Sequence, residues 1–335
     1  VRLDLAFILL FSATLSSTCD GGKVLVYPID GSNWLTMEIL VEALHSRGHQ
    51  ITVLRSSTSW YVKEFSPQYT SITVTQVQPQ NIEIQDFLTS FLKRSIEIHR
   101  GKRKSKSYSK TGLSIFENKT LIEQLRETGY DLFLTDPIYP AGVLVAHYLQ
   151  LPIVLNVRWL LNGDAHFAIA PSPTMDFFQR LHNIINRGML LYMHHYVSNP
   201  PYQAVCDQYF GRDVSTMSLI QGAEIWLVRV DFTFKLPRPT MPNVVYIGGF
   251  QGKPSKPLPP EFEDFMQSSG EHGVIVMTLG TLLSDLGTEI SEIIASAFAN
   301  LPQKVVWRHL GKRPIVKLFV IIVMSVSRTN LSPLN

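Results

Sequence analysis

Two cysteines in 335 residues, Cys19 and Cys206, exclude a disulfide framework. Charge is sparse as well: charged residues make up 17% of the chain and the formal net charge is +3, too little to argue for a nucleic-acid partner. No Cys or carboxylate stands at metal-ligand spacing around His194 and His195, so no metal site is expected there and the pair reads as structural. Long apolar runs are missing too. Leu5 to Phe11 is too short to span a bilayer, and Ile315 to Val326 is about half the length a span requires. What is abundant is core-forming sequence. The hydrophobic fraction of 45% excludes wholesale disorder, and the length suits two domains rather than one.

Arg2, the apolar run to Phe11 and the small polar residues to Cys19 follow the order of a secretory signal peptide, which is expected over residues 1–19. Without an initiator Met, the chain is expected to begin upstream of Val1. Cleavage near Cys19 would leave Cys206 as the one thiol, which reads as a buried structural residue.

From residue 22 the pattern alternates between strands and helices. Val24 to Tyr27 reads as a buried parallel strand. Pro28 to Ser32 carries turn residues, and Ser32 is a plausible N-cap for a helix to about Arg47. Leu35, Ile39, Leu40, Ala43 and Leu44 would form its apolar face, and Gly48 would supply a left-handed end. Strands follow at Ile51–Leu54, Ile72–Val77, Asp131–Thr135, Pro152–Leu155 and Ala223–Val228. Helices are expected at Ile82–His99, Leu121–Thr128, Ala141–Leu149 and, as a long amphipathic element, Phe177–Tyr196. The basic run 101–110 reads as a solvated loop.

The Pro- and Gly-rich stretch from Val244 to Pro260 marks a domain boundary. This places an N-terminal α/β domain at 20–246, a linker at 247–262 and the start of a second α/β domain at 263–314. In the second domain, strands are expected at Gly273–Thr278 and Lys304–Trp307, with a helix capped by Thr288. The tail at 315–335 fits no element of that pattern and reads as foreign sequence joined to an interrupted domain. Asn118-Lys-Thr120 is a glycosylation sequon, meaningful if the chain is secretory.

In doubly wound sheets, ligands bind at the carboxyl ends of strands. The Asp30 to Asn33 loop lies at such an end, and Asp136 lies at another. An Asp before a Pro at a strand end is also an ordinary turn residue.

Six stretches, taken in order, resemble the UDP-glucuronosyltransferases of the GT-B glycosyltransferase fold. They are Asp30-Gly-Ser-Asn-Trp-Leu-Thr-Met37, Asp131-Leu-Phe-Leu-Thr-Asp-Pro137, Gly163-Asp-Ala-His-Phe-Ala-Ile-Ala-Pro-Ser-Pro173, Pro242-Asn-Val-Val-Tyr-Ile-Gly-Gly249, Gly273-Val-Ile-Val-Met-Thr-Leu-Gly280 and Leu301-Pro-Gln-Lys-Val-Val-Trp-Arg308. The resemblance implies two Rossmann-like domains, the second incomplete. The first would bind small lipophilic acceptors, with Asp30, Gly31, Ser32 and Trp34 at its site. The second would bind UDP-glucuronate as co-substrate, with no cofactor and no metal, through Leu279, Gly280 and Thr281. Transfer would proceed with inversion. It further implies residence in the endoplasmic reticulum lumen, membrane association in the full-length form and oligomers with family members.

One departure governs the expected chemistry. In the family, a histidine after the first strand takes the acceptor's proton and an aspartate orients it. Asp136 matches the aspartate, but Asn33 occupies the histidine's place, and a carboxamide is not a base near neutral pH. The donor signature beyond the Trp307-Arg308 strand does not follow here. The chain as written is therefore expected not to turn over, and the alternative is a non-catalytic partner or regulator of intact relatives.

Overall fold

The computed structural model describes residues 21–57, 59, 61–75, 115–138, 140–158, 176–193, 200–233, 240–252, 254–278, 287–309 and 321–324. Several expectations fall outside these residues: the signal peptide at 1–19, the helix at 82–99, the basic run, His194, His195, and Leu279, Gly280 and Thr281. The described residues form two compact units, one ending at Gly252 and the other following it.

The first unit is built on seven parallel strands: β1 Lys23–Tyr27, β2 Gln50–Ser56, β3 Thr70–Val74, β4 Leu132–Thr135, β5 Ile153–Val157, β6 Ile225–Val228 and β7 Val244–Tyr246. Their spatial order is β3-β2-β1-β4-β5-β6-β7. Order therefore reverses between β1 and β4, which is the switch point of a doubly wound sheet. The helices of this unit are α1 Ser32–Ser46, α2 Lys119–Thr128, α3 Ala141–Tyr148, α4 Phe177–Met193, α5 Pro200–Tyr209 and α6 Thr216–Gln221.

Successive residues of a strand point to opposite faces, and here they feed two cores. Leu25, Phe133, Leu155, Trp226 and Val228 pack with α3, α5 and α6 through Val143, Leu144, Val205 and Leu219. Val24, Val26, Leu134 and Val154 pack on the other face against Trp34, Met37 and Val41 of α1. Buried on both sides, the strands read as near-continuous apolar runs, and this is why β1, β4 and β5 were visible in the sequence.

Several details differ from expectation. The N-cap of α1 is Gly31 rather than Ser32, and no side chain caps the helix. Its buried face is Asn33, Trp34, Thr36, Met37 and Val41, while Leu35 is exposed. The rotation turns the polar first turn inward, toward the end of β4. Val244–Tyr246, the opening of the Pro- and Gly-rich stretch that marks the domain boundary and for which no strand was expected, pairs with β6 as the last strand of the sheet. Gly48 does adopt a left-handed φ of 89°. Cys206 is buried, with Sγ 3.5 Å from Thr216 Oγ1, and burial pushes its thiol pKa up, as suits a packing residue.

The second unit holds α7 Pro260–Gln267, β8 Val274–Met277, α8 Thr288–Phe298, β9 Lys304–Arg308 and β10 Ile321–Met324. The start of α7 falls in the stretch expected to be linker. The α8 N-cap is Gly287 rather than a Thr288 side chain. The three strands are parallel in the order β10-β9-β8. Ile321–Met324 thus has a place in a sheet, where the tail had none in the sequence reading.

Candidate active site at the switch point

The sheet's reversal brings together two loops from distant parts of the chain. Tyr27 and Thr135 are the last paired residues of β1 and β4, and the Thr135 hydroxyl donates to the Tyr27 carbonyl at 2.9 Å. Asp136 leaves β4 at that point, and the loop after β1 leads into α1. Asn33 Nδ2 donates to Asp136 Oδ2 at 2.8 Å across a buried contact that joins residues 103 positions apart. Asp136 Oδ1 accepts from the Ile138 N–H at 2.9 Å.

The loop is held open to this geometry by its own residues. Asp30 Oδ1 accepts from Gly31 N–H at 2.9 Å and from Tyr61 N–H at 3.1 Å. Gly31 has φ 87° and ψ −147°, a region closed to residues with a Cβ. Gly31→Ala should therefore cost about 1–3 kcal/mol and displace Asn33, measured as a lower denaturant midpoint with unchanged slope. Trp34 has no exposed surface and meets Tyr69 edge-on at 5.5 Å between ring centroids, so it belongs to the core behind the loop rather than to a ligand wall.

Asp136 is 2% exposed. Burial raises its pKa to about 6, against the opposing effects of the Ile138 N–H, the Asn33 amide and the Arg158 charge. The carboxyl group therefore changes charge just below neutral pH, which suits a functional group better than a turn residue. Asn33 spends an amide N–H on this carboxylate and keeps a carbonyl oxygen that can accept a hydrogen bond but cannot take the proton.

Three more polar residues lie at neighbouring strand ends and were missed in the sequence. Arg158 follows β5, Arg229 follows β6 and Gln251 follows β7. Burial and the Arg229 charge lower the Arg158 pKa, while Asp136 acts against them, so these charges sense one another. Arg229 Nη1 donates to Gln251 Oε1 at 2.9 Å, and Gln251 Nε2 reaches Thr36 Oγ1 of α1 at 3.5 Å. The available signal was positional: each is among the first polar side chains after an apolar strand. Asn118, the sequon residue, is an exposed N-cap whose Oδ1 accepts from Leu121 N–H at 3.0 Å. Among the described residues no group of three or more His, Cys, Asp or Glu could hold a metal ion.

A doubly wound parallel sheet with polar side chains gathered at its switch point is one Rossmann-like half of the GT-B glycosyltransferase architecture. Solved structures of that class share the fold: Arabidopsis thaliana UGT89C1 complexed with quercetin has a TM-score of 0.54 at 12% identity, covering 92% of this chain and 70% of that one. The family model described as UDP-glucoronosyl and UDP-glucosyl transferase matches residues 22–317, and the chain belongs to that family. Rat UDP-glucuronosyltransferase 1-2 is 36% identical over 321 residues, covering 88% of this chain and 60% of the rat protein. Human UDP-glucuronosyltransferase 1A4 is 34% identical over 338 residues, covering 93% of this chain and 62% of that relative. The chain thus spans about three-fifths of the length of the curated relatives it matches.

Proposed function

We propose that this chain supplies the acceptor site of an inverting transferase that moves glucuronate from UDP-glucuronate to small lipophilic acceptors, with a preference for acceptors that need no deprotonation. The observation that carries this reading is the buried 2.8 Å contact from Asn33 Nδ2 to Asp136 Oδ2. An acceptor hydroxyl placed there meets a carboxamide oxygen. It can be oriented, but its proton stays on it as the bond to the anomeric carbon forms. A tertiary amine attacks through a lone pair and becomes a cation, which the ionised Asp136 would stabilise at close range. A carboxylate acceptor arrives already ionised. Family membership supports the UDP-sugar as donor, and Leu279, Gly280 and Thr281 remain the proposed donor contacts.

The test joins this acceptor domain to the remaining C-terminal part of the rat relative and compares an aromatic tertiary amine, unprotonated at neutral pH, with a phenol of similar size. The amine is expected to be the better substrate. Equal or better transfer to the phenol would refute the reading.

Residence in the endoplasmic reticulum lumen, at the membrane surface, fits the same reading. No described helix is long and apolar enough to cross a membrane. Yet α4 exposes an apolar stripe that includes Phe177, Phe178, Ile184, Ile185 and Met189, with Phe178 at 77% exposure. Arg180, His182 and Arg187 share that helix, and it has no acidic residue. An apolar stripe beside basic residues suits the boundary of an anionic bilayer. The chain should float with vesicles of mixed zwitterionic and anionic lipid, and Phe177→Ser with Phe178→Ser should weaken this by tenfold or more, on the order expected from two lost aromatic anchors. Flotation unchanged by the double substitution would exclude α4 as the contact. Glycosylation at Asn118 and association with family members belong to the same proposal.

A further inference from the structure

Among the described residues of this region, Asn156 is the one whose carboxamide leaves both its donor and its acceptor unpartnered; Trp34 leaves only an indole N–H. It sits on β5 with no exposed surface, and neither its Oδ1 nor its Nδ2 has a hydrogen-bond partner. Leaving a buried amide unsatisfied costs about 1–3 kcal/mol, and the sheet's other buried polar side chains, Arg55 and Thr135, are hydrogen-bonded within the chain, so Asn156 calls for a partner that arrives from outside the chain.

Strand geometry says which way it faces. Leu155 and Val157 point into the core shared with α3, α5 and α6. Val154 points into the opposite core, with Trp34 and Met37 of α1. Asn156 alternates with its neighbours and so shares the α1 face with Val154. Leu134 also lies on that face, and therefore so does Asp136, in agreement with its bond to Asn33 of α1. The last pair of the register is Thr135 with Leu155, so Asp136, the first residue past β4, follows on next to Asn156 of β5, at about the 4.8 Å spacing of neighbouring strands if the register continues by one residue. Exposure falls from 7% at Asn33 to 2% at Asp136 and 0% at Asn156, so the three lead inward from the surface.

We propose that Asn156 is a binding residue of the acceptor site: its carboxamide hydrogen-bonds the polar head of a small aromatic acceptor seated against Asp136. The assignment rests on the acceptor-site reading above. It makes the site's innermost wall polar at the end of β4 and on β5, one side chain ionisable and the other neutral. A neutral amide can donate to or accept from a hydroxyl, so it holds an acceptor's head without competing for its proton.

The test uses the whole 335-residue chain and two fluorescent probes, 4-methylumbelliferone and its 7-methoxy analogue, which cannot donate. Wild type should bind the hydroxyl probe the more tightly. Asn156→Val should weaken that probe about three- to tenfold, the worth of one neutral hydrogen bond, and leave the methoxy analogue within twofold, so the preference collapses. The melting temperature without ligand should stay level or rise, because an unsatisfied amide has been removed. A preference that survives Asn156→Val overturns the proposal. So does a lowered melting temperature with the preference intact, which would mean that the amide binds a buried structural water. If the variant does not fold, side-chain amide resonances of asparagine-labelled wild type decide the matter: the hydroxyl probe must shift the Asn156 pair, and no shift overturns it. Failure of wild type to bind either probe would defeat the acceptor-site reading itself, an outcome distinct from binding without the Asn156 preference.

Discussion

Asn33→His should raise phenol transfer by about 10²–10⁴-fold, the usual worth of a positioned general base. The substitution is sterically plausible because Asn33 already lies in the first turn of α1 with its side chain against Asp136. An imidazole there would donate from one nitrogen to the carboxylate and offer the other to an acceptor hydroxyl. The carboxylate would fix the tautomer and stabilise the imidazolium formed when the proton arrives. Transfer to a tertiary amine should change little or fall, because a cationic imidazolium beside a developing ammonium is unfavourable. The measurement is kcat/KM for matched phenol and aromatic amine acceptors in the protein completed with a relative's C-terminal part. A gain on both acceptors alike would mean that the histidine improved binding or folding rather than proton removal.

Asp136→Asn should make the chain more stable at neutral pH and less active. Asp136 has its pKa raised from 3.8 to about 6, mainly by burial. A carboxyl group whose folded pKa lies above its unfolded value stabilises the fold below the unfolded value. That contribution is lost as pH rises through the folded one. Wild type should therefore lose stability between about pH 4 and pH 6 and level off above. Two pKa units correspond to roughly 3 kcal/mol. The asparagine variant lacks that slope, and its new amide can pair with the Asn33 carbonyl after that side chain flips. Denaturant titrations at pH 4.5 and pH 7.5 check this: the variant's advantage should appear at the higher pH and shrink at the lower. Amine transfer should fall, since the anion that would stabilise the ammonium is gone. An equal effect on stability at both pH values would place the origin in packing rather than charge.

The site was partly legible in the sequence because its two ends are local. Turn residues after an apolar strand marked the Asp30–Asn33 loop, and the Asp-Pro step marked the end of β4. That the two meet follows from β4 inserting beside β1, a pairing across more than a hundred residues that periodicity alone does not encode. The face of α1 was misassigned for a related reason. Leu35 and the leucines after it suggested one apolar stripe, yet Gly31 sets the helix entry so that Asn33, Trp34 and Met37 turn inward. Asn156, Arg158 and Arg229 look like ordinary strand and loop residues until the parallel register aligns their strand ends. Val244–Tyr246 was lost among prolines and glycines, because three residues are too few to show alternation.

The central claim is that a carboxamide held by Asp136 cannot relieve an acceptor of its proton. The most direct test is the ratio of kcat/KM for an aromatic tertiary amine to that for a matched phenol, in wild type, Asn33→Ala and Asp136→Ala, each completed with a relative's donor domain. The account predicts a wild-type ratio of about 10² or more in favour of the amine, following the worth of a missing base, and a marked loss of amine transfer in Asp136→Ala. Efficient phenol transfer that persists in Asn33→Ala and vanishes in Asp136→Ala would contradict it, since Asp136 would then be the base.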